Sequence, residues 1–119
     1  NNTLILDAYN ANPNSMKAAI DNFAKFPAEH KLLLLGDMFE LGEYSREEHQ
    51  KLVDLLKELK FTNVLLVGNE FCSLKDPSFR SFATTEDCKQ YLQNEKVQQN
   101  TVLIKGSRGM RMEILQEVL

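Results

Sequence analysis

Several things are scarce in this chain of 119 residues, and each absence excludes something. Long apolar runs are missing: the longest is Leu32-Leu33-Leu34-Leu35, far short of the roughly 18 residues of a membrane span. Excess positive charge is missing: 14 Lys+Arg against 17 Asp+Glu leave −3, which argues against a nucleic-acid partner. Cysteine is nearly missing: Cys72 and Cys88 set no disulfide framework. Neither a start Met nor a basic signal region stands at Asn1-Asn2-Thr3, so a reducing cytoplasm and an excised piece of a longer chain are the expectations. There is no Gly-x-x-x-x-Gly-Lys-Ser/Thr loop and no Gly-x-Gly-x-x-Gly after a strand, so this chain alone is not expected to hold a triphosphate. No Ser-His-Asp, Cys-His or Cys/His metal spacing is present, and no catalytic residue is expected here.

What is present is ordinary and well patterned. A composition 43% hydrophobic and 26% charged is that of a globular protein, neither disordered nor fibrous. The length suits one domain, which can bury roughly two-thirds of the surface its unfolded chain exposes. Apolar runs at Thr3–Leu6, Lys31–Leu35, Val64–Val67, Ser81–Ala83 and Thr101–Ile104 read as strands. Between them, Pro13–Phe26, Ser45–Lys60 and Thr85–Gln93 carry helical stripes, and Met110–Leu119 reads as a closing helix. Strands that are apolar throughout are buried on both faces. Alternating with helices, they predict an α/β, Rossmann-like, doubly wound and mostly parallel sheet with helices on both faces. Ligands bind such a sheet beyond the carboxyl ends of its strands.

Three segments at those ends are candidate sites. In Asp7-Ala8-Tyr9-Asn10-Ala11-Asn12-Pro13-Asn14-Ser15-Met16, Asn12 is a natural helix cap and Pro13 suits the first turn. Asp7, Tyr9 and Asn10 are polar groups beyond what a cap needs. In Gly36-Asp37-Met38-Phe39-Glu40-Leu41-Gly42, followed by Ser45-Arg46-Glu47-Glu48-His49, Ser45 and Glu48 read as a capping box. His49 reads as a packing or surface residue. A metal cluster of Asp37, Glu40, Glu43 and His49 fits no defensible spacing. In Lys105-Gly106-Ser107-Arg108-Gly109-Met110-Arg111, three cations and two glycines crowd a turn before a helix. Cations there oppose the helix dipole unless an anion binds, so this turn predicts a carboxylate or phosphate, with Arg108 able to grip it with two hydrogen bonds.

These same three segments, in this order, resemble the C-terminal domain of the Mur ligases, and the resemblance covers essentially all of 1–119. Tyr-Asn-Ala-Asn-Pro and Lys-Gly-Ser-Arg-Gly-Met-Arg-Met are closest to the branch that adds D-Ala-D-Ala to UDP-MurNAc-tripeptide in peptidoglycan synthesis. The resemblance implies a three-domain, ATP- and Mg2+-dependent ligase, of which this is the third domain and from which the N-terminal UDP-sugar domain and the central ATPase domain are missing. The substrate carboxylate is phosphorylated, the dipeptide amine attacks, and closure of the third domain keeps water from the acyl phosphate. By the same resemblance Asp7 faces the ATP ribose, Tyr9, Asn10 and Asn12 line the cleft toward the central domain, and Lys105, Ser107 and Arg108 receive the dipeptide carboxylate. It assigns no role to Asp37 or His49. No tightly bound cofactor, no metal ligand, no nucleic-acid partner and no membrane partner are expected of this domain, which alone is expected to lack ligase activity. The alternatives are a sister Mur ligase, a phospho-receiver domain or a nucleotide-binding module. The receiver reading requires an Asp after the third strand, where Gly68-Asn69-Glu70 stands instead.

Overall fold

The computed structural model describes residues 1–119. Five strands form: β1 (Thr3–Asp7), β2 (Lys31–Gly36), β3 (Val64–Val67), β4 (Arg80–Phe82) and β5 (Thr101–Lys105). They make one sheet in the order β1-β5-β2-β3-β4, with every neighbouring pair parallel. The doubly wound α/β fold read from the strand–helix alternation is the fold observed. The apolar strands serve two cores at once, because successive side chains leave opposite faces of a sheet. Leu33, Leu35, Leu66 and Leu103 pack on one side, and Leu32, Leu34, Val67 and Ile104 on the other. β1 departs from this pattern. It is an edge strand paired only with β5, and Leu6 is 44% exposed.

The helices α1 (Pro13–Lys25), α2 (Ser45–Glu58) and α3 (Asn69–Ser73) share the first core through Met16, Ile20, Leu52, Leu56 and Phe71. α4 (Thr85–Asn94) lies on the second with Cys88 and Leu92. Burial pushes the Cys88 thiol up to about 12, as befits a core residue. Asn12 caps α1 as predicted: its Oδ1 accepts from the Ser15 N–H at 2.8 Å, and the Ser15 hydroxyl accepts in turn from the Asn12 N–H at 3.0 Å.

Three local expectations are corrected. The Ser45–Glu48 capping box does not form. A 3-10 turn at Gly42–Tyr44 runs straight into α2, so Ser45 is already helical at φ −56, ψ −50, and Tyr44 holds the cap position without a side-chain bond. α3 forms where no helix was predicted. The closing helix is instead two 3-10 stretches, Arg108–Met110 and Met112–Val118, broken at Arg111, whose φ of 54 and ψ of 43 are left-handed. Met112 and Leu115 of the second stretch nevertheless fill the second core.

The connections change face at β5. The chain leaves β1 and β2 toward α1 and α2 on one side, but leaves β5 toward Met112 and Leu115 on the other. Since β5 lies between β1 and β2, the residues that follow it stand beside the loops leaving both neighbours. Such a switch point is where doubly wound sheets bind ligands.

Candidate functional site

The first two predicted segments and the third meet at this switch point. Lys105, at the end of β5, is 2% exposed, yet its ammonium is satisfied: Nζ lies 2.6 Å from Asp7 Oδ2 and 2.9 Å from the Asn10 carbonyl oxygen. A buried ammonium requires such partners. The register explains the pairing, since Asp7 and Lys105 are direct neighbours across the β1–β5 ladder. Asp7 remains half-exposed, and Lys105 engages only its Oδ2. Asn12 spends its side chain on capping α1.

Arg108 is the exposed cation of the turn. Its guanidinium stacks on the Tyr9 ring at 4.7 Å, joining the loop after β5 to the loop after β1. Tyr9 is itself 70% exposed. No salt bridge of the chain involves Arg108. The electrostatic premise for this turn is therefore narrower than the sequence suggested. Lys105 is neutralised by Asp7, and the three-residue 3-10 turn at Arg108–Met110 offers no α-helix dipole. The glycine before it has a packing role: a Cβ on Gly106 would sit 2.7 Å from Met112 Cγ and 3.2 Å from the Gly36 Cα.

The middle segment is a buried polar frame. Asp37, at the end of β2, is 3% exposed and accepts from the Glu70 and Phe71 N–H groups at 2.9 and 3.0 Å. It thereby caps the unpredicted α3. Burial pushes its carboxyl above the ordinary carboxylate range, against the lowering effect of those two bonds. Gly68, the residue before α3, has φ +121, and a Cβ there would overlap the Asp37 carboxyl group. Ser107 is 7% exposed, and its hydroxyl donates to the Asp37 carbonyl oxygen at 2.8 Å and accepts from the Phe39 N–H at 3.2 Å. His49 is fully buried. Its Nε2 accepts from the Met38 N–H at 3.0 Å and its Nδ1 lies 2.7 Å from the Ser45 carbonyl oxygen. The Ser45 hydroxyl turns to Glu70.

The structure thus brings Asp7, Tyr9, Asn10, Lys105 and Arg108 together at the carboxyl edge, with the side chains of Asn12 and Ser107 bonded within the adjoining loops. Phe39 was missed by sequence reasoning. It is 45% exposed and packs on Gly109 beside Arg108, and an aromatic between Asp37 and Glu40 in a polar loop was its only signal. Between the ends of β2 and β3, Asp37, Phe39, Gly42, Ser45, Asn69 and Glu70 line a cleft of about 370 Å3. No three His, Cys, Asp or Glu side chains stand close enough to hold a metal ion. No helix is long and apolar enough to cross a membrane.

Residues 1–108 match the family model described as "Mur ligase, glutamate ligase domain". The chain is 34% identical over 118 residues to the UDP-N-acetylmuramoyl-tripeptide--D-alanyl-D-alanine ligase of Rickettsia prowazekii, a match covering 95% of this chain and 26% of the relative. It is 35% identical over 117 residues to the ligase of the same name from Escherichia coli, again 95% of this chain and 26% of the relative. Among solved structures, MurF of Thermotoga maritima in complex with ADP superposes with a TM-score of 0.76 at 28% identity, over 97% of this chain and 27% of that one. MurF of Acinetobacter baumannii gives 0.76 at 30% identity, over 92% and 25%. The chain therefore spans about a quarter of the length of the relatives it matches.

Proposed function

This chain belongs to the Mur ligase, glutamate ligase domain family, and from that premise we propose that it is the third domain of an ATP-dependent ligase joining D-Ala-D-Ala to UDP-MurNAc-tripeptide. The observation that carries the reading is the cluster in which Arg108 stacks on Tyr9 and Lys105 pairs with Asp7. In it Arg108 receives the dipeptide carboxylate, as an exposed guanidinium without an acidic partner is fitted to do. Asp7, with one oxygen outside its bond to Lys105, accepts from the ATP ribose hydroxyls. Tyr9 and Asn10 line the cleft toward the central domain. Lys105 and Ser107 belong to the same site but serve it from within the wall, because their polar atoms are engaged inside the chain.

The residues present fit part of ATP and no Mg2+. They supply a carboxylate for a ribose and an aromatic ring, but no phosphate loop and no metal cluster. Triphosphate and Mg2+ accordingly belong to a central domain outside this chain, and phosphorylation of the substrate carboxylate takes place there. This domain's contribution is to orient the dipeptide amine and, on closing, to exclude water from the acyl phosphate. The MurF relative bound to ADP supports nucleotide use.

Steady-state kinetics of the full-length enzyme test the reading. Arg108→Ala is expected to raise the KM for D-Ala-D-Ala about 10- to 100-fold, the equivalent of about 1.5–3 kcal/mol for a charged contact, with the KM for ATP nearly unchanged. Asp7→Asn, which keeps an acceptor for Lys105, is expected to raise the KM for ATP instead. An unmoved dipeptide KM in the Arg108 variant removes that residue from the site.

A further inference from the structure

His49 is fully buried, both its ring nitrogens are engaged, and the chemistry proposed above makes no use of it. Its partners determine its state. A main-chain N–H can only donate, so Nε2, 3.0 Å from the Met38 nitrogen, is the acceptor. A carbonyl oxygen can only accept, so Nδ1, 2.7 Å from the Ser45 oxygen, carries the proton. These partners assign Nε2 as the acceptor and Nδ1 as the donor, and the Asp37 carboxylate lies 3.9 Å from Nε2. The edge-on contact with Phe71, at 4.7 Å and 84°, fixes its plane.

The bond to Met38 matters because Phe39 is the next residue. As the chain leaves β2, the consecutive N–H groups of Met38 and Phe39 find their acceptors on two side chains from other parts of the fold, His49 Nε2 and Ser107 Oγ. Those two bonds hold the backbone that carries the Phe39 ring, and the ring lies against Gly109: a Cβ on that glycine would lie 3.0 Å from Phe39 Cε2. Gly109 adjoins Arg108, whose guanidinium rests on Tyr9. The exposed turn carrying Arg108 therefore touches two aromatic rings, and His49 bonds the residue before one of them.

We propose that His49 is a positioning residue for the carboxylate-binding turn, acting through Met38, Phe39 and Gly109 on the direction of Arg108. The inference rests on Arg108 being the dipeptide carboxylate receptor. The requirement is a hydrogen-bond acceptor at the Nε2 position, mounted on α2. An amide oxygen at the same reach satisfies it, and an aliphatic group does not.

The test is kinetic, in the full-length enzyme. His49→Leu removes the acceptor at similar volume, and His49→Asn is too short to reach Met38. Both are expected to raise the KM for D-Ala-D-Ala by about ten-fold or more, with kcat at saturating dipeptide and the KM for ATP within about three-fold of wild type. His49→Gln, whose amide oxygen reaches the Nε2 position, is expected to restore the dipeptide KM to within about three-fold. In an Arg108→Ala background, His49→Leu is expected to add less than about two-fold, because both act through one contact. Loss of kcat together with a rise in every KM, no rescue by Gln, or failure of both the Leu and Asn variants to fold would each make His49 a residue of the fold alone and overturn the inference. If Arg108→Ala leaves the dipeptide KM unmoved, the carboxylate reading itself falls. If that variant raises the KM and the His49 variants do not, only the positioning role falls.

Discussion

The two edges of the sheet differ in a way that volume alone would misjudge. At the amino edge, between the starts of β2, β3 and β4 and the end of α4, lies a cleft of about 620 Å3 lined by Asn63, Arg80, Tyr91, Lys96 and Asn100 among others. The carboxyl-edge cleft beside Asp37 is smaller, about 370 Å3. Yet all five buried polar residues, Asp37, His49, Thr85, Lys105 and Ser107, stand at or beside the carboxyl edge. Each is satisfied there: no buried side-chain polar atom of the chain lacks a partner. Buried polar groups are costly unless fully bonded, and once bonded they define one geometry. The larger hollow is a gap between elements, while the smaller one is a constructed frame.

The sharpest way to break that comparison is Gly68→Ala. The residue must take φ +121, and its new Cβ would overlap the buried carboxyl of Asp37. We expect a loss of about 3 kcal/mol or more in urea unfolding of this chain. At the amino edge, Arg80→Ala removes a stack on Tyr91 from an exposed residue and is expected to cost less than about 1 kcal/mol. Equal losses at the two edges would dissolve the distinction.

Much of this architecture is legible in the sequence because its causes are local. Continuous apolar runs predict β2, β3 and β5, and Asn12 with Pro13 predicts the start of α1. The errors share a different cause. α3 is only five residues long, and its cap is supplied by Asp37, more than thirty positions away. Ser45 looks like a cap because the 3-10 turn before it leaves no pattern in the sequence. Lys105 reads as one of three free cations, whereas parallel pairing of β1 and β5 sets Asp7 beside it. The break at Arg111 likewise depends on contacts the sequence does not display: Thr85 donates to the Met110 carbonyl oxygen at 2.6 Å, and Met112 packs against Gly36 and Gly106. Elements held by neighbours in the chain can be read from it. Elements held by partners across the fold cannot.

Asp37→Asn sharpens the comparison next. The amide can accept from one of the two α3 N–H groups but turns a donor toward the other, so a loss of about 1–3 kcal/mol is expected. Its pH dependence has a definite sign. Because burial raises the Asp37 carboxyl in the folded chain, the native state binds the proton more tightly than the unfolded one. The wild type therefore loses stability from this group as pH rises from the ordinary carboxylate value through the raised one. The gap between wild type and variant should be widest in acid and narrow toward neutrality, as read from urea midpoints at about pH 4 and pH 7.

The smallest effect is expected from a carboxylate toward the other edge, and its sign should be opposite. Asp76, in the loop entering β4, pairs with Lys57 near the end of α2 at 2.8 Å and accepts from the Ser78 N–H at 2.9 Å. Lys57 first, then Ser78, hold its carboxyl well below the ordinary carboxylate range. A lowered folded value contributes stability above the unfolded value and loses it as pH falls through the folded one. Asp76→Asn should thus cost up to about 1 kcal/mol at neutral pH, as surface pairs do, and less in about 1 M salt. Its gap from wild type should close in acid, where that of Asp37→Asn opens. If both gaps moved the same way with pH, Asp37 would be an ordinary solvated carboxylate, and the carboxyl edge would hold no buried frame to set against the amino-edge hollow.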